Sequence, residues 1–219
     1  MNKLFTFQPK DGFPELPYIF TAPTDWDPKT ESLPLIVFLH GAGERGPAIE
    51  PLYEFYGIPK LFGEDPDFHG LRVLTLSPQC PKGLVWNNLT FAVKELIESV
   101  AAEVNADRNA ITVTGCSMGG FGTWELITAF PELFAAAAPI CGGGMSWRAS
   151  LLKALPLRVF HGGVDSVVPL VCSEMMVEAV NKAGGHAEFT VFPGVDHNSW
   201  INAYRDTDVI EWLAAQRRA

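Results

Sequence analysis

The stretch that decides the fold is Ile111-Thr112-Val113-Thr114-Gly115-Cys116-Ser117-Met118-Gly119-Gly120. A β-branched run enters a Gly-x-Ser-x-Gly turn, and a helical pattern over 121–130 leaves it. A serine at such a strand-to-helix turn projects from a sharply bent backbone, which requires small residues on both sides. The helix that follows offers unpaired N–H groups that favour developing negative charge. The five-residue pattern alone is common by chance; the strand before it and the helix after it make it specific for a nucleophile turn.

Outward from this stretch the chain alternates apolar runs with helical patterns. Leu35–Leu39, Leu71–Leu76, Ala135–Ile140, Leu157–Phe160 and Phe189–Phe192 read as strands buried on both faces. Residues 89–104, with apolar positions at Val93, Leu96, Ile97, Val100 and Val104, read as a helix, as do 171–183 and 208–216. The opening segment, to about Ala22, alternates apolar and polar residues around Asp11-Gly12 and predicts an antiparallel strand pair. The sum is an α/β fold: a doubly wound, mostly parallel sheet with helices on both faces and N-terminal antiparallel strands. No linker or repeat divides the chain, so residues 1–219 are expected to form one domain. In such sheets ligands bind beyond the carboxyl ends of the strands.

Composition narrows the function classes. The 219 residues are 47% hydrophobic and 19% charged, which excludes a disordered chain. Sixteen basic residues against twenty-five acidic ones give a net charge of −9, which argues against a nucleic-acid partner. No run approaches the roughly 18–20 apolar residues of a membrane span. The first nine residues have no sustained apolar core and do not read as a signal peptide, so a cytoplasmic location is expected. Cys80, Cys116, Cys141 and Cys172 are scattered and read as free thiols of a reducing compartment.

A serine needs a base, and the base needs an orienting group. After the strand run 157–160 comes His161-Gly162-Gly163-Val164-Asp165, and after 189–192 comes Pro193-Gly194-Val195-Asp196-His197. Ser117, Asp165 and His197 thus follow three separate strands in the chain order Ser, Asp, His. His197 is the one histidine that lies after both Ser117 and Asp165 and also just past a strand. His40 and His161 end strands and are expected to hydrogen-bond within their loops, while His69 and His186 lie in polar surroundings. Asp196 is the rival acid, but as the neighbour of His197 it is poorly placed to meet the ring. Cys116 is the rival nucleophile, one residue off the tip of the turn. No His/Cys/Asp spacing matches a usual metal-ligand set, and no cofactor is expected.

With these residues in hand, the chain resembles the α/β-hydrolase superfamily, within it the small phospholipase/carboxylesterase group that includes predicted peptidases and dienelactone-hydrolase-like enzymes. The resemblance rests on residues 34–46 (PLIVFLHGAGERG), Ser77–Pro81 followed by Trp86, residues 114–124 (TGCSMGGFGTW), His161–Pro169 and His197–Trp200. It implies an ester hydrolase without a large lid, with Ser117 as nucleophile, Asp165 as acid and His197 as base. It further implies an oxyanion hole made by the N–H groups of Ala42 and Met118, and a small-molecule ester, short-chain or aromatic, as substrate. Peptide cleavage is a weaker expectation, because the chain has no room for a gating domain. A non-catalytic small-molecule-binding protein of the same fold is the alternative from another class.

Trp86 and Trp200 lie beside the predicted site loops and are expected to line the substrate cleft; Trp147, after Gly142-Gly143-Gly144, is a weaker candidate. Phe121 and Trp124 have the spacing of core residues. Glu44 and Arg45 are expected to brace the loop that carries Ala42.

Overall fold

Most of the apolar runs become strands covered on both sides; Phe189–Phe192 instead lies at the edge of the sheet and stays partly exposed, because a neighbouring strand covers it on one side only. The computed structural model describes residues 3–218; Met1, Asn2 and Ala219, at the ends of the chain, lie outside the described residues. Strands β1 (Lys3–Phe7), β2 (Leu16–Thr21), β3 (Leu35–Leu39), β4 (Leu74–Pro78), β5 (Ile111–Cys116), β6 (Ala136–Ile140), β7 (Leu157–Gly162) and β8 (Ala187–Phe192) form one eight-stranded sheet. The strand order is β1-β2-β4-β3-β5-β6-β7-β8. β2 runs antiparallel to both β1 and β4, and every other pairing is parallel. Asp11 and Gly12, both at positive φ, turn the chain between β1 and β2.

Among the described residues seven α-helices occur, in chain order: α1 (Pro51–Glu54), α2 (Ile58–Glu64), α3 (Thr90–Glu103), α4 (Met118–Ala129), α5 (Val171–Lys182), α6 (Trp200–Asp206) and α7 (Val209–Ala215). They divide between the two faces of the sheet. Leu35, Val37 and Leu39 of β3 point toward a core built with Leu96, Trp124 and Met176 of α3, α4 and α5. Ile36 and Phe38, one residue out of phase, point toward Phe62, Tyr204 and Leu213 of α2, α6 and α7. The two-residue alternation of a strand thus serves two helical layers, which is why β3 is apolar on both faces.

Two boundaries differ from the sequence expectation, and three helices were absent from it. β4 begins at Leu74 instead of Leu71, because Arg72 turns outward to pair with Asp25 and Glu31. α4 begins at Met118, earlier than the apolar pattern indicates: it is buried nearly all round, so its first turn shows no helical period. α1, α2 and α6 were not expected; each is short, and α1 and α2 open with Pro at their first or second position. The connection from β6 to β7 holds only a 3-10 stretch over Ser146–Leu152, so no large lid rises there. Among the described residues no helix is long and apolar enough to cross a membrane.

Candidate active site

The nucleophile turn is built by close backbone packing. A Cβ on Gly119 would lie 1.8 Å from the carbonyl oxygen of Leu39, so only glycine lets α4 start against the end of β3. Ser117, between β5 and α4, is held at φ 54°, ψ −120°, a conformation that side chains other than glycine's rarely adopt. Its N–H donates to the Ile140 carbonyl at 3.0 Å and also faces Cys141 Sγ at 3.3 Å. The end of β6 therefore pins the strained residue from behind.

The sheet brings the other two expected residues to the same spot. His197 Nε2 lies 2.9 Å from Ser117 Oγ, and its Nδ1 lies 2.9 Å from Asp165 Oδ2. Nδ1 faces a carboxylate and so carries the proton, which leaves Nε2 as an acceptor for the serine hydroxyl. The Asp165 carboxylate is fully covered, whereas the His197 side chain remains 20% exposed. Asp165 Oδ1 also accepts the N–H groups of Val167 and Val168, at 2.9 and 2.8 Å. Burial pushes the Asp165 carboxyl upward, but the His197 hydrogen bond and those backbone donors outweigh it and hold it below its ordinary value.

Asp196, the rival acid, does other work. Its carboxylate accepts the N–H and hydroxyl of Ser166 and the N–H of His197, tying the two loops together. Cys116, the rival nucleophile, is fully buried with its thiol pushed well upward by burial, and it points into the core under α6 and α7.

The loop after β3 is braced as expected. Arg45 Nε donates to the Ala42 carbonyl at 2.9 Å, and its guanidinium also reaches the Leu84 carbonyl. His40 Nδ1 donates to the Gly41 carbonyl at 2.6 Å, and its Nε2 accepts the Cys80 N–H at 2.9 Å. Both ring nitrogens are thereby committed in the neutral form, and burial lowers the His40 pKa to about 4. A Cβ on Gly41 would come 3.8 Å from Ser117 Cβ, which measures how closely this loop approaches Ser117. Ala42 opens a 3-10 turn and Met118 opens α4, so both N–H groups lack an acceptor within their own helix.

Trp86 corrects the sequence expectation. It is only 2% exposed, turned into the core. Its Nε1 donates to the His40 carbonyl at 2.9 Å, and its Cβ packs where a Cβ of Gly122 would otherwise sit, so it is a strut between the loop and α4. Trp200 does border the site: its ring stands edge-on to His197, with centroids 5.5 Å apart, and stacks on Phe55. Trp147 is 78% exposed. Two contributors were missed. Phe55 lies in a segment without clear periodicity. Cys141 had a usable signal, since it directly follows β6, a central strand next to β5, which leads into Ser117.

Cys141 Sγ, a carboxylate oxygen of Asp165 and a ring nitrogen of His197 lie within 4.8 Å of one another, a donor set of the kind that holds a soft divalent cation. As arranged, these atoms are engaged with one another's neighbours: the carboxylate with the imidazole, the thiol with the Ser117 N–H.

The phospholipase/carboxylesterase family profile matches residues 84–213, more than half of the chain and the part that holds Ser117, Asp165 and His197. The chain belongs to the phospholipase/carboxylesterase family. A probable carboxylesterase of Oryza sativa subsp. japonica is 25% identical over 192 residues, covering 74% of this chain and 71% of that protein. Among solved structures, a thermostable esterase is 38% identical with a TM-score of 0.89; the match covers 99% of this chain and 63% of the esterase chain. A ferulic acid esterase shares the fold at 17% identity, with a TM-score of 0.77 and coverage of 98% and 97%. This phospholipase/carboxylesterase member is accordingly an α/β-hydrolase of the carboxylesterase type.

Proposed function

We propose that the protein hydrolyses small-molecule carboxylic esters, short-chain or aromatic, through an acyl-enzyme formed on Ser117. The observation that carries this reading is the unbroken series of contacts from Ser117 Oγ to His197 Nε2 and from His197 Nδ1 to the buried Asp165 carboxylate. Ser117 Oγ attacks the ester carbonyl while His197 Nε2 takes its proton. Asp165 holds the ring tautomer and stabilises the imidazolium as it forms. The carbonyl oxygen becomes an oxyanion facing the N–H groups of Ala42 and Met118; one such donor is worth about 10²–10³ in rate. The imidazolium then protonates the departing alkoxide and the alcohol leaves. A water molecule, deprotonated by His197, attacks the acyl-enzyme and releases the acid.

Trp200 and Phe55 supply an aromatic wall on the His197 side, which suits an aromatic or short acyl group. The decisive experiment is a panel of nitrophenyl esters of varied acyl group, run on wild type and on Ser117→Ala. Turnover is expected in the wild type and its loss in the variant. Retained turnover in Ser117→Ala refutes the assignment.

A further inference from the structure

A second histidine touches the carboxylate assigned here as the catalytic acid. His161, the fifth residue of β7, has no exposed side-chain surface, and its Nε2 lies 3.3 Å from Asp165 Oδ2. The same nitrogen lies 3.0 Å from the Val168 carbonyl. Both neighbours are acceptors, so Nε2 carries a proton and donates toward the pair. The other ring nitrogen, Nδ1, is 2.7 Å from Ser173 Oγ on α5, and Ser173 in turn bonds the Gly142 carbonyl at 2.9 Å. Among the described residues, Asp165 is the charged group recorded against this ring; Ser173 and the carbonyl of Val168 complete its polar surroundings.

The two carboxylate oxygens of Asp165 therefore have different duties. Oδ1 takes two backbone donors, from Val167 and Val168, besides a long contact with His197. Oδ2 takes two imidazoles, His197 from the solvent side and His161 from the interior. The loop residue Val168 is gripped twice, its N–H by Asp165 and its carbonyl by His161. Removing either ring nitrogen from this set would leave a buried acceptor short of a donor, which is costly in a closed environment.

We propose that His161 is a positioning residue for Asp165: its Nε2–H shares Oδ2 with His197, fixing the carboxylate's orientation and moderating its pull on the His197 proton. The inference rests on the triad reading above. A shared oxygen attracts each of its two donors less than an unshared one. Losing His161 should therefore strengthen the bond from Asp165 to His197, stabilise the imidazolium and move the acid limb of the rate profile upward. It should also loosen the carboxylate and lower kcat. A residue that merely fills space would lower stability without moving the limb.

The test begins with fluorophosphonate labelling of Ser117 in the wild type, since absence of label overturns the triad reading itself and this inference with it. kcat/KM is then followed against pH for wild type, His161→Leu and His161→Gln, the last retaining a side-chain N–H near the position of Nε2. The expected result is a tenfold or larger fall in kcat for His161→Leu with KM within about twofold, and an acid limb shifted upward by about half a pH unit. His161→Gln should recover most of both effects. A labelled wild type whose His161→Leu variant keeps the wild-type limb overturns the inference and leaves the triad reading standing. If His161→Leu does not fold, nitrogen-15 NMR of the wild type decides: a proton on His161 Nε2 is expected, and an unprotonated Nε2 refutes the proposal.

Discussion

Cys141 Sγ sits 3.3 Å from the N–H of Ser117, directly behind the proposed nucleophile. Cys141 itself is at φ 39°, and its thiol is pushed up to about 12 by burial. The sulfur is thus packing material and a weak acceptor, not a reactive group. In the native protein, iodoacetamide should modify Cys172, which is partly exposed, and spare Cys80, Cys116 and Cys141 until denaturant is added. Mass spectrometry of the alkylated chain checks this, and labelling of Cys141 under native conditions would contradict the burial described here.

The strained backbone at Ser117 predicts a trade between activity and stability. Its φ of 54° with ψ of −120° suits glycine and disfavours every residue that carries a Cβ. Such strain costs on the order of 1–3 kcal/mol, partly offset by the greater unfolded-chain entropy of glycine. Ser117→Gly should therefore be more stable than Ser117→Ala by about 1 kcal/mol, while both are inactive. Urea unfolding of the two variants measures the difference, and an equal or lower stability for the glycine variant would remove the argument for strain.

Asp165→Asn should keep the fold and lose most of the rate. An amide in place of the carboxylate can present its NH₂ to His197 Nδ1, favouring the tautomer that cannot accept the serine proton. The expected loss in kcat is about 10⁴-fold, with KM little changed. Asp196→Asn should be far milder, since that carboxylate clamps loops and does not meet the ring. A reversed ranking would make Asp196 the acid.

His40 predicts a specific loss of stability in mild acid. Its pKa is lowered from 6.5 to about 4 because the buried ring is used in its neutral form, Nδ1–H to Gly41 and Nε2 from Cys80. A histidine whose folded pKa lies below its unfolded one leaves the native state with fewer protons than the unfolded chain. The stabilisation is complete above pH 6.5 and drains away as the pH falls toward 4. Over that window the loss should reach about 3 kcal/mol. Urea titrations at several pH values measure it, and a flat profile between pH 6.5 and 4 would disprove the neutral, buried assignment.

Removing the indole strut should weaken the loop it supports. Trp86→Phe keeps most of the bulk against Gly122 but strands the His40 carbonyl without its donor. A stability loss of about 1–3 kcal/mol is expected. A variant as stable as the wild type would show that the bond contributes nothing.

Much of this was legible in the sequence because period and punctuation carry it. Leu35–Leu39 reads as a doubly covered strand from its unbroken apolar character and residues 111–114 read as a strand from their β-branched run, and both are central in the sheet. Ser117, Asp165 and His197 were legible because each follows its own strand, and the topology converts that placement into proximity. What stayed hidden depends on direction. Nothing in the chain order says that Trp86 turns inward while Trp200 turns toward His197. Nor does it say that His161 reaches the carboxylate four residues on as well as the loop carbonyl of Val168. Helices as short as α1 and α2 have too few turns to express a period, and α4 is too evenly buried to show one.

The Asp196 clamp has a consequence for redesign. Because one carboxylate holds both Ser166 and the His197 amide, the segments after β7 and β8 form a single mechanical unit. Lengthening either to graft new selectivity would pull the base away from the serine. The chain between β6 and β7 holds no member of the proposed triad and exposes Trp147 and Leu151, which makes it the natural port for inserted loops.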